Sequence, residues 1–170
     1  MQEIDISWHE LDRTCFLLAS RIGTICSRGA QPTSAGLICV SRGGMVITRL
    51  VDGYLRRLGH KLPIGYIQAT SYSDREQSKV ELSDLFWPTL ETNADTPALL
   101  FIIDDLVDTG HTMKAIKESL KDTHNAGIIP SVLFYKNHSE VVPAIYIHMA
   151  EDDAWITFPY EVEDFTEMRE

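Results

Sequence analysis

The segment Leu99–Thr112 constrains the fold of this chain more than any other part of the sequence. An unbroken apolar run, Leu99–Ile103, is typical of a buried strand. Two adjacent carboxylates follow it, Asp104 and Asp105, and a short turn then ends in a Thr-Gly-x-Thr pattern that opens a helix. Because ligands in open α/β sheets bind beyond the carboxyl ends of the strands, this order of residues predicts a ligand site at a sheet edge.

The same segment offers groups for two different parts of a ligand. The backbone N–H groups of Thr109–Thr112 would point into one space at the positive end of a helix, which suits a phosphate dianion. Gly110 would let the backbone approach the phosphate or adopt a positive φ. Asp104 and Asp105 suit sugar hydroxyls or the water shell of a divalent cation. Together these groups describe a site for a ribose phosphate. The alternative interpretation is a strand–turn–helix unit with solvated carboxylates and a threonine cap.

Outside this segment, predicted helices and strands alternate. Ser7 and Glu10 form a capping-box pattern, and the apolar stripe that follows predicts a helix ending near Arg28. Further strands are predicted at 36–40, 64–70, 131–135 and 144–149, and further helices at 45–58 and 113–121. The polar stretch 73–97 is interpreted mostly as a long loop. The alternation predicts one α/β domain with a parallel sheet and right-handed crossovers.

Composition and charge narrow the class of protein. The chain has 170 residues, 44% of them hydrophobic, which suits one domain with a core. The net charge of −10 argues against nucleic acids and anionic membranes as partners, because a negative field repels both. No apolar run approaches the roughly 20 residues of a membrane helix, and the N-terminus shows no secretory-signal pattern, so a cytoplasmic protein is expected. Cys15, Cys26 and Cys39 are predicted to be buried and reduced.

The segment Leu99–Thr112 resembles the signature with which type I phosphoribosyltransferases bind phosphoribosyl pyrophosphate (PRPP). The similarity covers most of the chain and is strongest to the bacterial xanthine-guanine enzymes of that family. It is densest at 41–44, 71–72, 103–112 and 155–156.

The resemblance implies a fold, a reaction and a cofactor. The fold would be a single type I phosphoribosyltransferase domain over residues 1–170, an α/β fold with a parallel sheet flanked by helices. A flexible loop at about 71–96 and a small base-binding hood at about 136–165 would complete it. The reaction would be Mg²⁺-dependent transfer of 5-phosphoribosyl from PRPP to a 6-oxopurine (guanine, xanthine or hypoxanthine) in purine salvage. A homodimer or homotetramer is expected by the same analogy.

By resemblance, each part of PRPP is assigned to its own group of residues. The 5′-phosphate is assigned to the turn residues Asp108, Thr109, Gly110, His111 and Thr112. The ribose hydroxyls and the metal are assigned to Asp104 and Asp105. The pyrophosphate is assigned to the loop Ser41, Arg42, Gly43 and Gly44, whose first peptide bond is often cis in the family. Ser71 and Tyr72 are assigned to the loop that closes over PRPP and excludes water.

The base is assigned to the C-terminal part of the chain. By resemblance, Lys136 donates to the 6-oxo group of the purine, which gains negative charge in the transition state. Trp155 stacks on the base, and the backbone at Ile156 contacts its edge near position 2. Asp108, between the sugar and base sites, is the candidate general base or acid. Asn137 follows the lysine where family members often have proline, and this bears on the shape of the loop.

The sequence leaves two questions open. His111 stands where glycine is common in the family, and its side chain could crowd the 5′-phosphate, donate to it or point to solvent; the other histidines are interpreted as structural or exposed. The alternative functions are a phosphoribosyltransferase for another base and a non-catalytic, PRPP-sensing regulator that binds nucleic acid. The regulator would need a basic face, and the compact basic group of Arg56, Arg57 and Lys61 is interpreted as a solvated helix end.

Overall fold

The computed structural model describes residues 2–28, 34–74, 77–88 and 97–161, with the backbone alone for 71–74 and 77–79. Along these residues the helices and strands are β1 (Glu3–Asp5), α1 (Trp8–Cys26), β2 (Ala35–Ser41), α2 (Gly44–Arg57), β3 (Ile64–Asp74), β4 (Gln77–Leu82), β5 (Leu99–Val107), α3 (His111–Thr123), β6 (Gly127–Lys136), β7 (Ile145–Ala150) and β8 (Trp155–Thr157). None of the helices in these ranges is long and apolar enough to cross a membrane.

The main sheet confirms the predicted α/β fold. It has six strands in the spatial order β4-β3-β2-β5-β6-β7, all parallel except β4, which pairs antiparallel with β3 at one edge. After β2 the chain continues to β3, toward one edge of the sheet. After β5 it continues to β6, toward the opposite edge. The loops that leave β2 and β5 therefore meet at the point where the strand order reverses, which is where open α/β sheets bind ligands.

Helices cover both faces of the sheet. Phe101 and Ile103 pack in the layer with α1 and α2, whereas Leu100 and Ile102 pack in the layer with α3. All four side chains are fully buried. Burial of each such side chain contributes roughly 1.5–3 kcal/mol, so the two layers fix which residues of β5 face each way and hold the carboxyl end of the strand in place.

β5 is longer than the sequence predicted. The apolar run indicates a strand that ends at Ile103, but the pairing with β6 continues to Val107, opposite Tyr135. Asp104 and Asp105 therefore belong to the strand and not to the turn after it. The strand accommodates these two acids because the backbone ladder with β6 supplies its hydrogen bonds, while the carboxylates are only half-buried at the sheet edge.

The long loop predicted at 73–97 is wrong in its first part. β3 continues to Asp74, and β4 returns beside it from Gln77 to Leu82 in an antiparallel ladder. β4 is an edge strand, which pairs with a neighbour on one side only. Its sequence therefore shows no clear apolar alternation. Residues 89–96 of the predicted loop lie outside the described residues.

A small second sheet joins the two ends of the chain. β1 and β8 pair in parallel, with Ile4 opposite Ile156, and the Trp155 N–H donates to the Gln2 carbonyl at 2.7 Å. Neither strand was predicted, because three residues are too few to show a period. This pairing fixes the position of the segment that carries Trp155 and Ile156. Of the predicted hood at 136–165, the structure describes the residues up to 161.

The start of α1 provides a stability test. The Glu10 N–H donates to Ser7 Oγ at 3.2 Å, so Ser7→Ala removes a helix cap, a loss of typically about 1 kcal/mol. Thermal unfolding should show a Tm lower by about 2–4 °C for a domain of this size. Ser20→Ala is the matched control, since Ser20 Oγ donates to Phe16 O inside the helix, where such bonds stabilise little. Equal losses in both variants would contradict the capping role.

Candidate active site

The turn between β5 and α3 lines a cavity of about 260 Å³ at the carboxyl edge of the sheet. The cavity is lined by Asp104, Leu106, Val107, Asp108, Thr109, Gly110, Thr112 and Met113. α3 begins at His111, immediately after the turn. The N–H groups of its first turn have no partners within the helix and are the donors that an anion needs. The structure thus brings most residues of the predicted phosphate cradle to one cavity.

Gly110 is required at its position for two reasons. Its φ of 88° lies in the left-handed region, which favours glycine. A Cβ there would also overlap Ser139 Oγ and approach the Val141 backbone nitrogen to 2.9 Å. Beside it, the Glu140 N–H donates to the Thr109 carbonyl at 2.9 Å. The loop that follows β6 is therefore packed directly against the turn.

Asp104 and Asp105 form an acidic pair at the end of β5. The Asp105 N–H donates to Asp104 Oδ1 at 3.0 Å, and the Leu106 N–H donates to Asp105 Oδ1 at 2.7 Å. Burial raises the pKa of both carboxyl groups, and the charge of Asp105 adds to the rise at Asp104. A ligand that donates hydrogen bonds or carries positive charge would therefore stabilise the ionised pair.

Tyr160 belongs to this site, although the sequence analysis did not select it. Its hydroxyl donates to Asp105 Oδ2 at 3.1 Å, and its ring stacks on Phe158 with the centroids 5.4 Å apart. Burial and the charge of Asp105 raise the pKa of Tyr160, so the hydroxyl keeps its proton and acts as a donor. A single tyrosine near the C-terminus carries no sequence signal for this contact, which depends on where β8 lies.

The predicted pyrophosphate loop, Ser41–Gly44, lies directly beside the acidic pair. Its first peptide bond is cis. A Cβ on Gly43 would overlap the Asp105 carboxylate, and one on Gly44 would overlap the backbone of β5. The loop can approach β5 this closely only because both positions are glycine. Arg42, between them and β2, is exposed at the same edge of the sheet.

Asp108 and Lys136 form an ion pair because of the register between β5 and β6. Val107 lies opposite Tyr135, so the next residue of each strand is also a neighbour. Lys136 Nζ donates to Asp108 Oδ2 at 3.0 Å. The lysine side chain is 9% exposed and the aspartate side chain 47%. An ammonium group has three donors, so Lys136 keeps donors for a ligand while it contacts Asp108.

The structure places one further histidine in the site. His138 Nε2 lies 3.0 Å from Asp108 Oδ1, and His138 Nδ1 lies 3.0 Å from Asp152 Oδ1. The sequence alone indicated only a structural or exposed position for this histidine. The signal that would have found it is the register between β6 and β7, in which Lys136 lies opposite Ala150. His138 comes two residues after Lys136, and Asp152 comes two residues after Ala150, so these two residues are neighbours beyond the ends of β6 and β7.

His111, which the sequence left open, turns toward a carboxylate. Its Nε2 lies 3.2 Å from Glu140 Oε1, and Lys114 Nζ donates to Glu140 Oε2 at 3.1 Å. The lysine holds the pKa of Glu140 below its usual value, and the histidine contributes. These three residues line a shallow cavity of about 350 Å³ next to the cradle. The His111 side chain therefore contacts Glu140 and is not among the residues that line the cavity of the turn.

The remaining predicted residues lie on the strands that border the site. Trp155 in β8 is 63% exposed, whereas Ile156 is buried in the core layer of α1 and α2. Ser71 and Tyr72 lie in β3, paired with β4, and their side chains lie outside the described part of the structure. The ring of Trp155 is thus largely exposed, whereas the side chain of Ile156 is buried.

Asp104 and Asp105 are the residues available to a divalent cation. Among the described residues, no group of three or more histidine, cysteine, aspartate or glutamate side chains could hold a metal ion. Mg²⁺ in proteins commonly uses one or two carboxylates and takes its other ligands from water and substrate phosphates. The two adjacent carboxylates, whose charged forms are disfavoured by burial, fit that donor set.

Comparisons with known proteins show which family the chain resembles in sequence and in fold. The family model described as phosphoribosyl transferase domain matches residues 17–164. The chain is 30% identical over 161 residues to a xanthine-guanine phosphoribosyltransferase of Idiomarina loihiensis, covering 95% of this chain and 88% of that one. A purine phosphoribosyltransferase from Pyrococcus horikoshii is 25% identical, with a TM-score of 0.72 and 95% of each chain covered. The Helicobacter pylori xanthine-guanine-hypoxanthine phosphoribosyltransferase shares the fold at a TM-score of 0.76 and 22% identity, covering 99% and 100%.

Asp104→Asn tests how much the half-buried acidic pair costs in folding stability. Folding raises the pKa of Asp104, so its contribution to stability is complete below the ordinary aspartate pKa of about 3.9 and is lost as pH rises through the raised value. Asparagine keeps an oxygen that accepts from the Asp105 N–H but carries no charge. The variant should therefore have a higher Tm than the unaltered protein at pH 8, by about 2–4 °C for each kcal/mol, and a smaller advantage toward pH 4.

The matched control is Asp84→Asn, at an exposed position that follows β4. It should leave Tm unchanged at both pH values, because a solvated carboxylate loses no hydration on folding. A Tm for Asp104→Asn below that of the unaltered protein at pH 8 would show that the ionised carboxylate stabilises the fold.

Proposed function

The chain belongs to the phosphoribosyltransferase family, and from that membership we propose that it transfers 5-phosphoribosyl from PRPP to a 6-oxopurine. Guanine, xanthine and hypoxanthine are the proposed acceptors, and the products are pyrophosphate and the nucleoside monophosphate, as in purine salvage. The proposal agrees with the purine and xanthine-guanine names of the similar proteins.

The observation that carries the choice of base is the pair of Lys136 and Asp108. A 6-oxopurine presents its carbonyl oxygen and N7 side by side on one edge. Lys136 Nζ and Asp108 Oδ2, 3.0 Å apart, offer a donor and an acceptor side by side, and Asp108 lines the cavity. The lysine would donate to the 6-oxo group, and the carboxylate would take the proton at the neighbouring ring nitrogen. A 6-amino group would instead face the lysine with its own hydrogens, so adenine fits poorly.

We place PRPP along the sheet edge beside this pair. Its 5′-phosphate would accept from the backbone N–H groups and hydroxyls of Thr109–Thr112, at the N-terminus of α3. Its ribose hydroxyls would donate to Asp104 and Asp105, whose ionised forms need such donors. The pyrophosphate would lie on Arg42 and on the Gly43–Gly44 backbone. The hairpin of β3 and β4, which carries Ser71 and Tyr72, is the proposed lid that excludes water.

Asp104 and Asp105 are also the proposed holders of Mg²⁺. The ion would supply positive charge to the leaving pyrophosphate, as metal ions do for phosphate groups. Within the protein, Arg42 contributes a charge-assisted donor to the same group. The Tyr160 hydroxyl holds Asp105 in place, because it donates to the oxygen that faces Gly43.

The proposed chemical step breaks the bond between C1′ and the pyrophosphate ahead of full attack, which gives the ribose oxocarbenium character. The purine ring nitrogen then bonds to C1′, and the proton lost from the imidazole ring passes to Asp108. Trp155, exposed on β8, would hold the base by stacking on its face. The 3.0 Å contact with Lys136 keeps Asp108 beside the base edge during this transfer.

A pyrophosphate-release assay tests the function. With PRPP and Mg²⁺, the protein should release pyrophosphate with at least one of guanine, xanthine and hypoxanthine, and should release little with adenine or uracil. Turnover with adenine or uracil alone would replace the proposed base. Binding of PRPP without turnover on any base would favour a regulator of the same fold.

Asp108→Asn tests the acid–base assignment. Asparagine keeps the shape of the turn but cannot accept the proton, and positioned acid–base groups contribute 10²–10⁴-fold. We expect kcat to fall by about 10²-fold while PRPP affinity, measured by calorimetry, is kept. Asp122→Asn serves as the control on α3. Unchanged turnover in Asp108→Asn would remove Asp108 from the mechanism.

A further inference from the structure

We propose that His138 is a positioning residue for Asp108, holding its carboxylate toward the base through a bridge to Asp152. The proposal rests on the function proposed above, in which Asp108 exchanges a proton with the purine. It concerns a histidine to which neither the sequence analysis nor the family resemblance gives a role.

Three neighbouring strands bring the bridge together. β5 ends at Val107 opposite Tyr135 of β6, and Lys136, the last residue of β6, lies opposite Ala150 of β7. The segments that follow β5, β6 and β7 therefore leave the sheet side by side. Asp108 follows β5, His138 follows β6 and Asp152 follows β7, so the three side chains lie in a row along the carboxyl edge.

Both oxygens of Asp108 are held in this arrangement. Oδ2 accepts from Lys136 Nζ at 3.0 Å, and Oδ1 lies 3.0 Å from His138 Nε2. A carboxylate with contacts on both oxygens cannot rotate without losing one of them. Each oxygen still has a lone pair for the base edge, because a carboxylate offers about four acceptor positions. Lys136 and His138 together therefore set the plane of the carboxylate.

Asp152 holds the far side of the imidazole ring. His138 Nδ1 lies 3.0 Å from Asp152 Oδ1, and the His138 backbone N–H donates to the same oxygen at 3.2 Å. These hydrogen bonds hold the pKa of Asp152 below its usual value. The ring thus joins the two acids while its own backbone is fixed to one of them.

The exposure of the bridge argues for positioning and against a role in stability. The side chains of Asp108, His138 and Asp152 are 47%, 35% and 59% exposed. Ion pairs this open to solvent contribute little to folding. The loop is also held independently, since the Glu140 N–H donates to the Thr109 carbonyl at 2.9 Å. Removing the imidazole should therefore leave the fold and the cradle in place.

The kinetic test uses His138→Gln, with His9→Gln at an exposed position of α1 as the matched control. Glutamine cannot span both carboxylates, so kcat should fall about tenfold, part of the 10²–10⁴-fold that a positioned acid–base group contributes. KM for PRPP and Tm should stay unchanged, because the ring contacts Asp108 and Asp152 and not the Thr109–Thr112 N–H groups or the core. Unchanged kcat, or a loss shared by KM for PRPP and Tm, would overturn the proposal.

Asp152→Asn gives an independent measurement of the same bridge. It should lower kcat through His138, and the double variant His138→Gln with Asp152→Asn should lose no more than His138→Gln alone, since both changes remove one bridge. Additive losses would show that the two residues act separately and would contradict the bridge.

Nitrogen-detected NMR of the imidazole rings separates this proposal from the proposed function. The signals missing in His138→Gln assign the ring, and in the unaltered background Asp108→Asn should shift its Nε2 signal and Asp152→Asn its Nδ1 signal. His9 should not respond to either change. If the protein turns over no purine, the proposed function fails, yet the bridge still stands or falls on these shifts. Unshifted His138 signals in both variants would overturn it.

Discussion

The site depends on the contact between Lys136 and Asp108, and that contact depends on the register of β5 against β6. Because Val107 lies opposite Tyr135, the residues that follow them leave the sheet side by side. A slip of one residue would turn every side chain of the strand to the opposite face. The alternating apolar residues Leu100–Ile103, buried in two different layers, prevent that slip. The packing that stabilises the core therefore also places Lys136 beside Asp108, which lines the cavity.

Electrostatics sets a second condition on the site. The net charge of −10 disfavours an anionic substrate at long range, so binding must come from local donors. In the proposed site, the first turn of α3 and Arg42 would supply such donors. The carboxylates of Asp104 and Asp105 would repel an anion. Burial disfavours the charged forms of these two carboxyl groups in the free protein. In the proposed complex, the hydrogen bonds of a sugar and the charge of a metal ion would favour the ionised pair.

Much of the fold was predictable because its signals are local. The apolar run of β5 and the Thr-Gly-x-Thr pattern located the turn that lines the cavity, and the capping box located the start of α1. What depended on pairing between distant segments was missed: β4, β1 and β8 have no apolar period of their own. Tyr160 and His138 were missed for the same reason, because each reaches the site through a strand register and neither stands in a motif. The roles given to Trp155 and Ile156 remain predictions that their exposure and position permit.

A crystal structure with a bound 6-oxopurine nucleoside monophosphate, such as the guanine or hypoxanthine product, is the most direct test of the central claim. The account predicts the phosphate on the N–H groups of Thr109–Thr112, the 6-oxo group within hydrogen-bond distance of Lys136 Nζ, and N7 facing Asp108. A nucleotide whose phosphate lies in the cradle but whose base turns away from both residues would contradict the assignment of the base. A phosphate bound elsewhere would contradict the account of the site as a whole.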